Sequence, residues 1–160
     1  MASLSRFSLL LLILTITAQT HLASSVRDIA LNSTDIHELL PLYGFPKGLL
    51  PNNVKSYTLS ADGSFEIELE SECYVKFDLL VYYDKIVKGK LRYGSVADVS
   101  GIEAKKLFLW VSVTGIEANQ GSGTIDFYVG VLSETLPAQQ FQKIPACTRK
   151  ACLGERTEAM

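Results

Sequence analysis

The spacing of apolar residues changes twice along this chain, and each change predicts a different kind of element. Residues 7–16 (FSLLLLILTI) form an almost unbroken apolar run. From Asp35 the pattern turns helical: Ile36, Leu39, Leu40 and Tyr43 recur at three- and four-residue steps, the spacing of one helix face. Asp35 is the expected N-cap, with Glu38 three residues on in a capping-box relation. Pro41 limits the helix, Gly44 ends it and Pro46 prevents its resumption. Pro46-Lys47-Gly48 then reads as a turn.

From residue 54 the period falls to two. Residues 54–60 are a strand, and Ala61-Asp62-Gly63 is a hairpin signal. Phe65, Ile67 and Leu69 alternate with Glu66, Glu68 and Glu70, so that strand has one apolar and one acidic face. Residues 73–83 are strand again, with a bulge expected near Asp78. Val87, Gly89, Leu91 and Tyr93 alternate with Lys88, Lys90 and Arg92, giving a basic outer face. Residues 95–100 form a further short strand. Residues 107–117 and 124–131 flank the loop Asn119-Gln120-Gly121-Ser122-Gly123 as a long hairpin, and residues 137–141 form a helical turn. Residues 148–160 are polar and aperiodic, a flexible tail. Short strands without long intervening helices favour antiparallel pairing. The expected fold is mainly β: an antiparallel rolled sheet or partly open β-barrel, with one short N-terminal helix over an opening or face.

Two strands are apolar on both faces: Leu79-Leu80-Val81-Tyr82-Tyr83 and Leu107-Phe108-Leu109-Trp110-Val111. A one-sided sheet needs only alternate apolar positions. The second face meets the helix around Leu39 and Leu40, a second layer of sheet, or an apolar cavity. Leu80, Tyr82, Phe108 and Trp110 are the candidate lining of such a cavity, since barrels hold small ligands in their mouths or interiors.

The first segment fits a secretory leader. Residues 1–6 carry one positive charge, the apolar run follows, and small residues end at Ala23-Ser24-Ser25; this is the three-part signal pattern. Ten apolar residues fall short of the ~20 that cross a bilayer as a helix, although a retained anchor is the alternative. Cleavage is expected between residues 20 and 25. The domain boundaries are then 1–23 for the leader, 33–147 for one β-rich domain and 148–160 for the tail. The chain has 15 basic and 17 acidic residues, and losing Arg6 with the leader makes the mature chain one charge more acidic. That balance argues against nucleic acid as a partner and leaves no polybasic cluster for anionic lipid heads. The expected destination is outside the cell, with no membrane span in the mature chain. Asn32-Ser33-Thr34 is a sequon for glycosylation in that setting.

Candidate chemistry is thin. His37-Glu38 begins like a zinc-protease helix, but Pro41 stands where the second histidine belongs; His37 reads as a surface helix residue, and no metal or cofactor is expected. His37 is also the only base left to a serine or cysteine nucleophile once the leader is gone, and no Gly-x-Ser-x-Gly elbow is present. Glu66, Glu68 and Glu70 share one strand face at steps of about 6.6–6.8 Å, with Lys88, Lys90 and Arg92 as cross-strand partners contributing roughly 0.2–1 kcal/mol per pair. No catalytic residue is assigned. The three cysteines enter an oxidising compartment. Cys73 with Cys147 is the expected disulfide, closing a loop worth roughly 4 kcal/mol as an upper value; Cys147 with Cys152 is the alternative.

Several segments in order resemble a known family. Tyr43-Gly44-Phe45-Pro46-Lys47-Gly48-Leu49-Leu50-Pro51, Cys73-Tyr74-Val75-Lys76-Phe77, Gly89-Lys90-Leu91-Arg92-Tyr93-Gly94-Ser95 and Lys105-Lys106-Leu107-Phe108-Leu109-Trp110, closing at Phe141 and Cys147, are similar to the plant family called domain of unknown function 538, over residues 33–147. The resemblance implies a small β-barrel-like fold. It implies no settled function: the proposals attached to the family are binding of amphipathic ligands, by likeness to bactericidal/permeability-increasing protein, and an esterase-like activity. The leading expectation is an extracellular binding protein for an apolar or amphipathic, lipid- or pigment-like small ligand. An esterase-type hydrolase and a protein-interaction module of the cell-wall space are the alternatives.

Overall fold

The computed structural model describes residues 35–148. The leader, the sequon at Asn32, Cys152 and all of the tail beyond Thr148 lie outside the described residues. Helix α1 spans Ile36–Leu42, and the Asp35 carboxylate accepts the His37 N–H at 3.0 Å. The reciprocal half of the expected capping box is not made: the Glu38 side chain instead pairs with Lys47 at 2.5 Å. A 3₁₀ turn follows over Lys47–Leu49.

Nine strands come next: β1 Val54–Leu59, β2 Ser64–Leu69, β3 Cys73–Lys76, β4 Leu80–Arg92, β5 Ser95–Lys106, β6 Leu109–Ser112, β7 Gly115–Asn119, β8 Thr124–Val129 and β9 Leu132–Pro137. All pair antiparallel in one sheet, in the order β1-β2-β4-β5-β7-β8-β9, with β3 added beside β4 and β6 beside β5. A second 3₁₀ turn spans Ala138–Phe141. The sheet is rolled and open, with β1 and β9 as free ends of the path, so the rolled-sheet expectation holds and barrel closure does not occur.

The long β4–β5 hairpin organises this roll. Its start and end pair with different neighbours: β4 takes β3 along Leu80–Tyr83 and β2 along Ile86–Lys90, while β5 takes β7 at Ser95–Val96 and β6 at Glu103–Lys106. The register shifts between Tyr83 and Lys90 mark the bend, as bulges do when they increase local twist. Gly101 sits there with φ +83°, and a Cβ on it would lie 2.2 Å from the Ile86 carbonyl oxygen. Only glycine tolerates both the conformation and the approach.

Three expected strands are cut differently. Residues 73–83 are two strands around a turn at 77–79 rather than one strand with a bulge. Residues 107–117 are interrupted twice, because Leu107 and Phe108 form the β5–β6 turn and Val113-Thr114 separates β6 from β7. The strand ending at Val131 stops at Val129, and Gly130-Val131 turns the chain into the unanticipated β9.

One core fills the concave side. Ile36, Leu39 and Leu40 of α1 are buried against it, with Ile67, Val87, Val96 and Ile116 from the sheet. Phe141 enters from the second 3₁₀ turn and packs on Phe77 and Phe127 at centroid distances of 4.7 and 5.5 Å. Cys73 and Cys147 form the expected disulfide, with Cα atoms 5.3 Å apart. The segment beyond Phe141 is stitched on as well, by reciprocal 3.0 Å bonds between Tyr74 and Thr148 and by Asn52 to Pro145 and Cys147.

Candidate functional site

Alternation along the strands decides what faces inward. In β4, Val81, Tyr83 and Val87 point to the concave side, so Leu80 and Tyr82 point out. The interior that results is not completely filled. One apolar void of about 50 Å³ lies under α1, roofed by Leu39 and Leu40 and floored by Ile67, Val87 and Val99. A second, of about 40 Å³, lies among Phe77, Val81, Val111, Phe127, Leu136 and Phe141. Leu49, Ile102 and Ile116 border both voids and form the partition between them.

Leu49 differs from its two partners in the partition. Ile102 and Ile116 belong to strands, whereas Leu49 belongs to a three-residue 3₁₀ turn. Its backbone carbonyl accepts the Tyr83 hydroxyl at 2.8 Å. Tyr83 is fully buried, and burial pushes its phenol well above the ordinary tyrosine value. A neutral donor therefore anchors the Leu49 wall of the partition.

The second void carries the only charged side chains found in the lining of either. Lys106 from β5 and Glu134 from β9 contact each other there through an ion pair. Both side chains are partly exposed, so this pair marks the opening to solvent.

The four residues expected to line a cavity line neither void. Tyr82 and Trp110 meet Tyr74 on the convex face, with ring centroids 5.0 to 6.3 Å apart. Leu80 lies on that face two residues from Tyr82. Phe108 is at a turn, 92% exposed. The two-faced apolar pattern in β4 and β6 thus has its explanation in an outer aromatic cluster with Tyr74 of β3, and the inward residues are the alternate set. Burial, then the charges of Asp84 and Glu72, push the Tyr82 phenol up to about 12.

The remaining candidates are structural. His37 is buried rather than on the surface, and its Nδ1 donates to the Lys47 carbonyl at 2.9 Å. That bond ties α1 to the 3₁₀ turn bearing Leu49. Glu66 pairs with Lys88 at 2.8 Å directly across the β2–β4 register. Glu68 is held by Lys55 at 2.9 Å and approached by Lys85 at 3.9 Å, and the Lys55 hydrogen bond keeps its carboxyl below the usual carboxylate range. Such a group is a poor proton donor near neutral pH. Among the described residues no three His, Cys, Asp or Glu side chains cluster closely enough to hold a metal ion, and no helix is long and apolar enough to cross a membrane.

The feature that sequence reading missed is the partition. Leu49 reads as one more apolar residue after a turn, and its role depends on a contact with Tyr83, 34 residues away. The cut in the β5–β6 segment was equally hidden, because Leu107-Phe108 carries no glycine, proline or asparagine to announce a turn.

Residues 36–142 match the family described as protein of unknown function, DUF538. No curated protein and no solved structure matches the chain.

Proposed function

We propose that this chain, which belongs to the DUF538 family, acts outside the cell by binding the apolar part of a small amphipathic molecule inside its rolled sheet. The observation that carries the reading is the divided apolar interior, with one charged pair in the lining of its second compartment. Unfilled apolar volume destabilises a fold by roughly 24 cal/mol per Å³, so each void costs about 1 kcal/mol. A ligand group that fills it restores those contacts. The volumes also restrict the ligand. An apolar cavity of roughly 150 Å³ takes up benzene, and each void is well below that. Joined they still fall short of it, so a single ring or acyl chain fits only where Leu49 also gives up the space of its own side chain. The Lys106–Glu134 pair at the opening suits a polar or charged head. The leader pattern and the Cys73–Cys147 bond support an oxidising, extracellular setting.

The test is native mass spectrometry of the mature protein secreted from a eukaryotic host, followed by extraction of whatever accompanies it. The expected result is a stoichiometric adduct that disappears on denaturation and is absent from an unrelated β protein. A clean unliganded mass, together with failure to saturate with fluorescent fatty acid, overturns the reading.

A further inference from the structure

The strand directions sort the turns into two groups. β2, β5 and β8 run parallel to one another because each is two antiparallel steps from the next along the sheet path. The turns that precede them are Ala61-Asp62-Gly63, Tyr93-Gly94 and the loop at 119–123, all at one end and mostly polar or glycine-rich. The turns at the other end follow β5 and β8 and precede β4: Leu107-Phe108, Gly130-Val131 and residues 77–79. Here Leu107 is 85% exposed, Phe108 92% and Val131 fully, with Leu109 and Leu132 beside them also exposed. The same end holds the second void, through Phe77, Leu79 and Val129, and its Lys106–Glu134 opening.

We infer that this end of the sheet inserts into a lipid–water interface, with Leu107, Phe108, Val131 and Leu132 as the inserting side chains. Four observations favour a lipid surface over a protein partner. First, the residues stand on the tips of two separate hairpins. A convex, pronged surface buries little against a rigid partner but is enclosed by fluid lipid. Second, the layers behind the tips follow the order of a membrane interface. Lys106 and Leu109 form the first rung below the Leu107-Phe108 turn, and Lys105 and Trp110 the second, roughly 7 Å back at strand spacing. Tryptophan settles at headgroup level and lysine extends its ammonium outward to water. Trp110 is 40% exposed, with the Lys105 Nζ 6.0 Å from its ring centre. Third, the turn chemistry is spent on exposure. Leu107 has φ 57° and Gly130 has φ 66° at matching first positions of two-residue hairpin turns, where glycine is the usual choice. Fourth, Lys76, Lys105 and Lys106 against Asp78 and Glu134 leave a single net positive charge near this end, too little to depend on anionic heads, so zwitterionic lipid suffices. Docking here brings the opening of the second void to the lipid boundary, so an amphiphile enters tail first without crossing bulk water. That last consequence rests on the proposed binding function; docking itself does not.

The experiment uses the secreted mature chain with vesicles of pure phosphatidylcholine. The protein has a single tryptophan, so Trp110 emission reports the interface directly. The expected result is co-flotation with the vesicles, a blue shift of the emission, and quenching by lipids brominated high on the acyl chain. F108D lowers the partition coefficient at least threefold, and F108D with V131D at least tenfold. Both sites are solvent-exposed, and an unchanged circular dichroism spectrum and melting temperature verify that the variants fold. Absence of flotation at millimolar lipid, or binding unaffected by the double substitution, overturns the inference. So does a concentration-dependent dimer that F108D dissolves, which would assign these tips to a second copy. Vesicle binding by a protein that native mass spectrometry finds unliganded and that fluorescent fatty acid fails to saturate would sink the ligand-binding proposal while leaving docking intact.

Discussion

Replacing Tyr83 with phenylalanine tests the anchored partition with one oxygen atom. The ring stays and the apolar packing is nearly unchanged, so the perturbation is confined to the 2.8 Å bond to the Leu49 carbonyl. Two effects follow. A neutral hydrogen bond contributes about 0.5–1.5 kcal/mol net, and a buried acceptor stripped of its donor loses about 1–3 kcal/mol. These overlap rather than add, because both describe the same lost donor. About 2 kcal/mol is the expected destabilisation. Against a total stability of roughly 5–15 kcal/mol, that is large enough to measure by urea denaturation and corresponds to a melting-temperature drop of roughly 6–10 °C. Y93F is the control: Tyr93 is well exposed and receives only the Gln120 side-chain amide at 3.0 Å, so its loss stays within about 0.5 kcal/mol. The partition argument adds a second readout. Freeing the turn that carries Leu49 lowers the barrier to joining the two voids, so Y83F takes up a fluorescent fatty acid faster than the native protein despite being less stable. A loss below about 0.5 kcal/mol in Y83F, equal to the control, would refute the reasoning, because a bond that is replaced so easily by water anchors nothing.

Further outcomes follow from the same contacts. L49A joins the voids outright and leaves a larger cavity; it lowers stability by about 2–5 kcal/mol and is partly rescued by saturating fatty acid, and denaturant midpoints without rescue would count against a site at the partition. Removing the disulfide with C73A and C147A together, across a separation of 74 residues, lowers stability by up to roughly 4 kcal/mol; an unchanged midpoint would show that the hydrogen bonds of Asn52 and Tyr74 hold the segment unaided. Alkali destabilises the fold through Tyr82 and Tyr83. Their folded pKa values are raised, so the neutral form is favoured when folded, stability is fully present below about pH 10, and it falls as pH rises from there through the raised values. A denaturant midpoint constant between pH 9 and 11 would contradict this. Glu68 acts at the other end of the scale: its depressed pKa places its contribution above the unfolded carboxylate range and removes it as pH falls through the folded value, and E68Q flattens that acid limb at low salt.

Much of the fold was legible because β2 and β4 obey the alternation rule. Ile67 and Leu69 face the core, and Glu66 meets Lys88 across the register, so period and charge agreed. The helix was legible from Asp35, the Ile36-Leu39-Leu40 spacing and Pro41. The burial of His37 was not, because its partner is a backbone carbonyl ten residues away and any residue could have supplied it. Parity was misread in the apolar runs for a simple physical reason. When both faces of a strand are apolar, the pattern no longer says which is inside, and a register one residue off exchanges the two. Tyr82 and Trp110 went outward to Tyr74, while Val81, Tyr83 and Val111 went inward.

The misreadings cluster where local rules are broken, and the breaks share a direction. A stretch such as Leu107-Phe108-Leu109-Trp110-Val111 reads as buried strand because burial is the ordinary use of five apolar residues in a row. Folding stability alone gives no reason to place two of them on a two-residue turn, where polar or glycine residues fit the backbone better and water penalises the exposed side chains. The departure is not general sloppiness, since the turns at the opposite end, such as Asp62-Gly63 and the glycine-rich loop after Asn119, follow the rules. Sites that violate local consistency without a stabilising return are where function is expected to reside. In this chain the violation at Leu107-Phe108 and the exposed Val131 fall at the same end as the charged opening of the second void, so the surface that departs from the folding rules and the interior that is left unfilled point to one working end of the molecule.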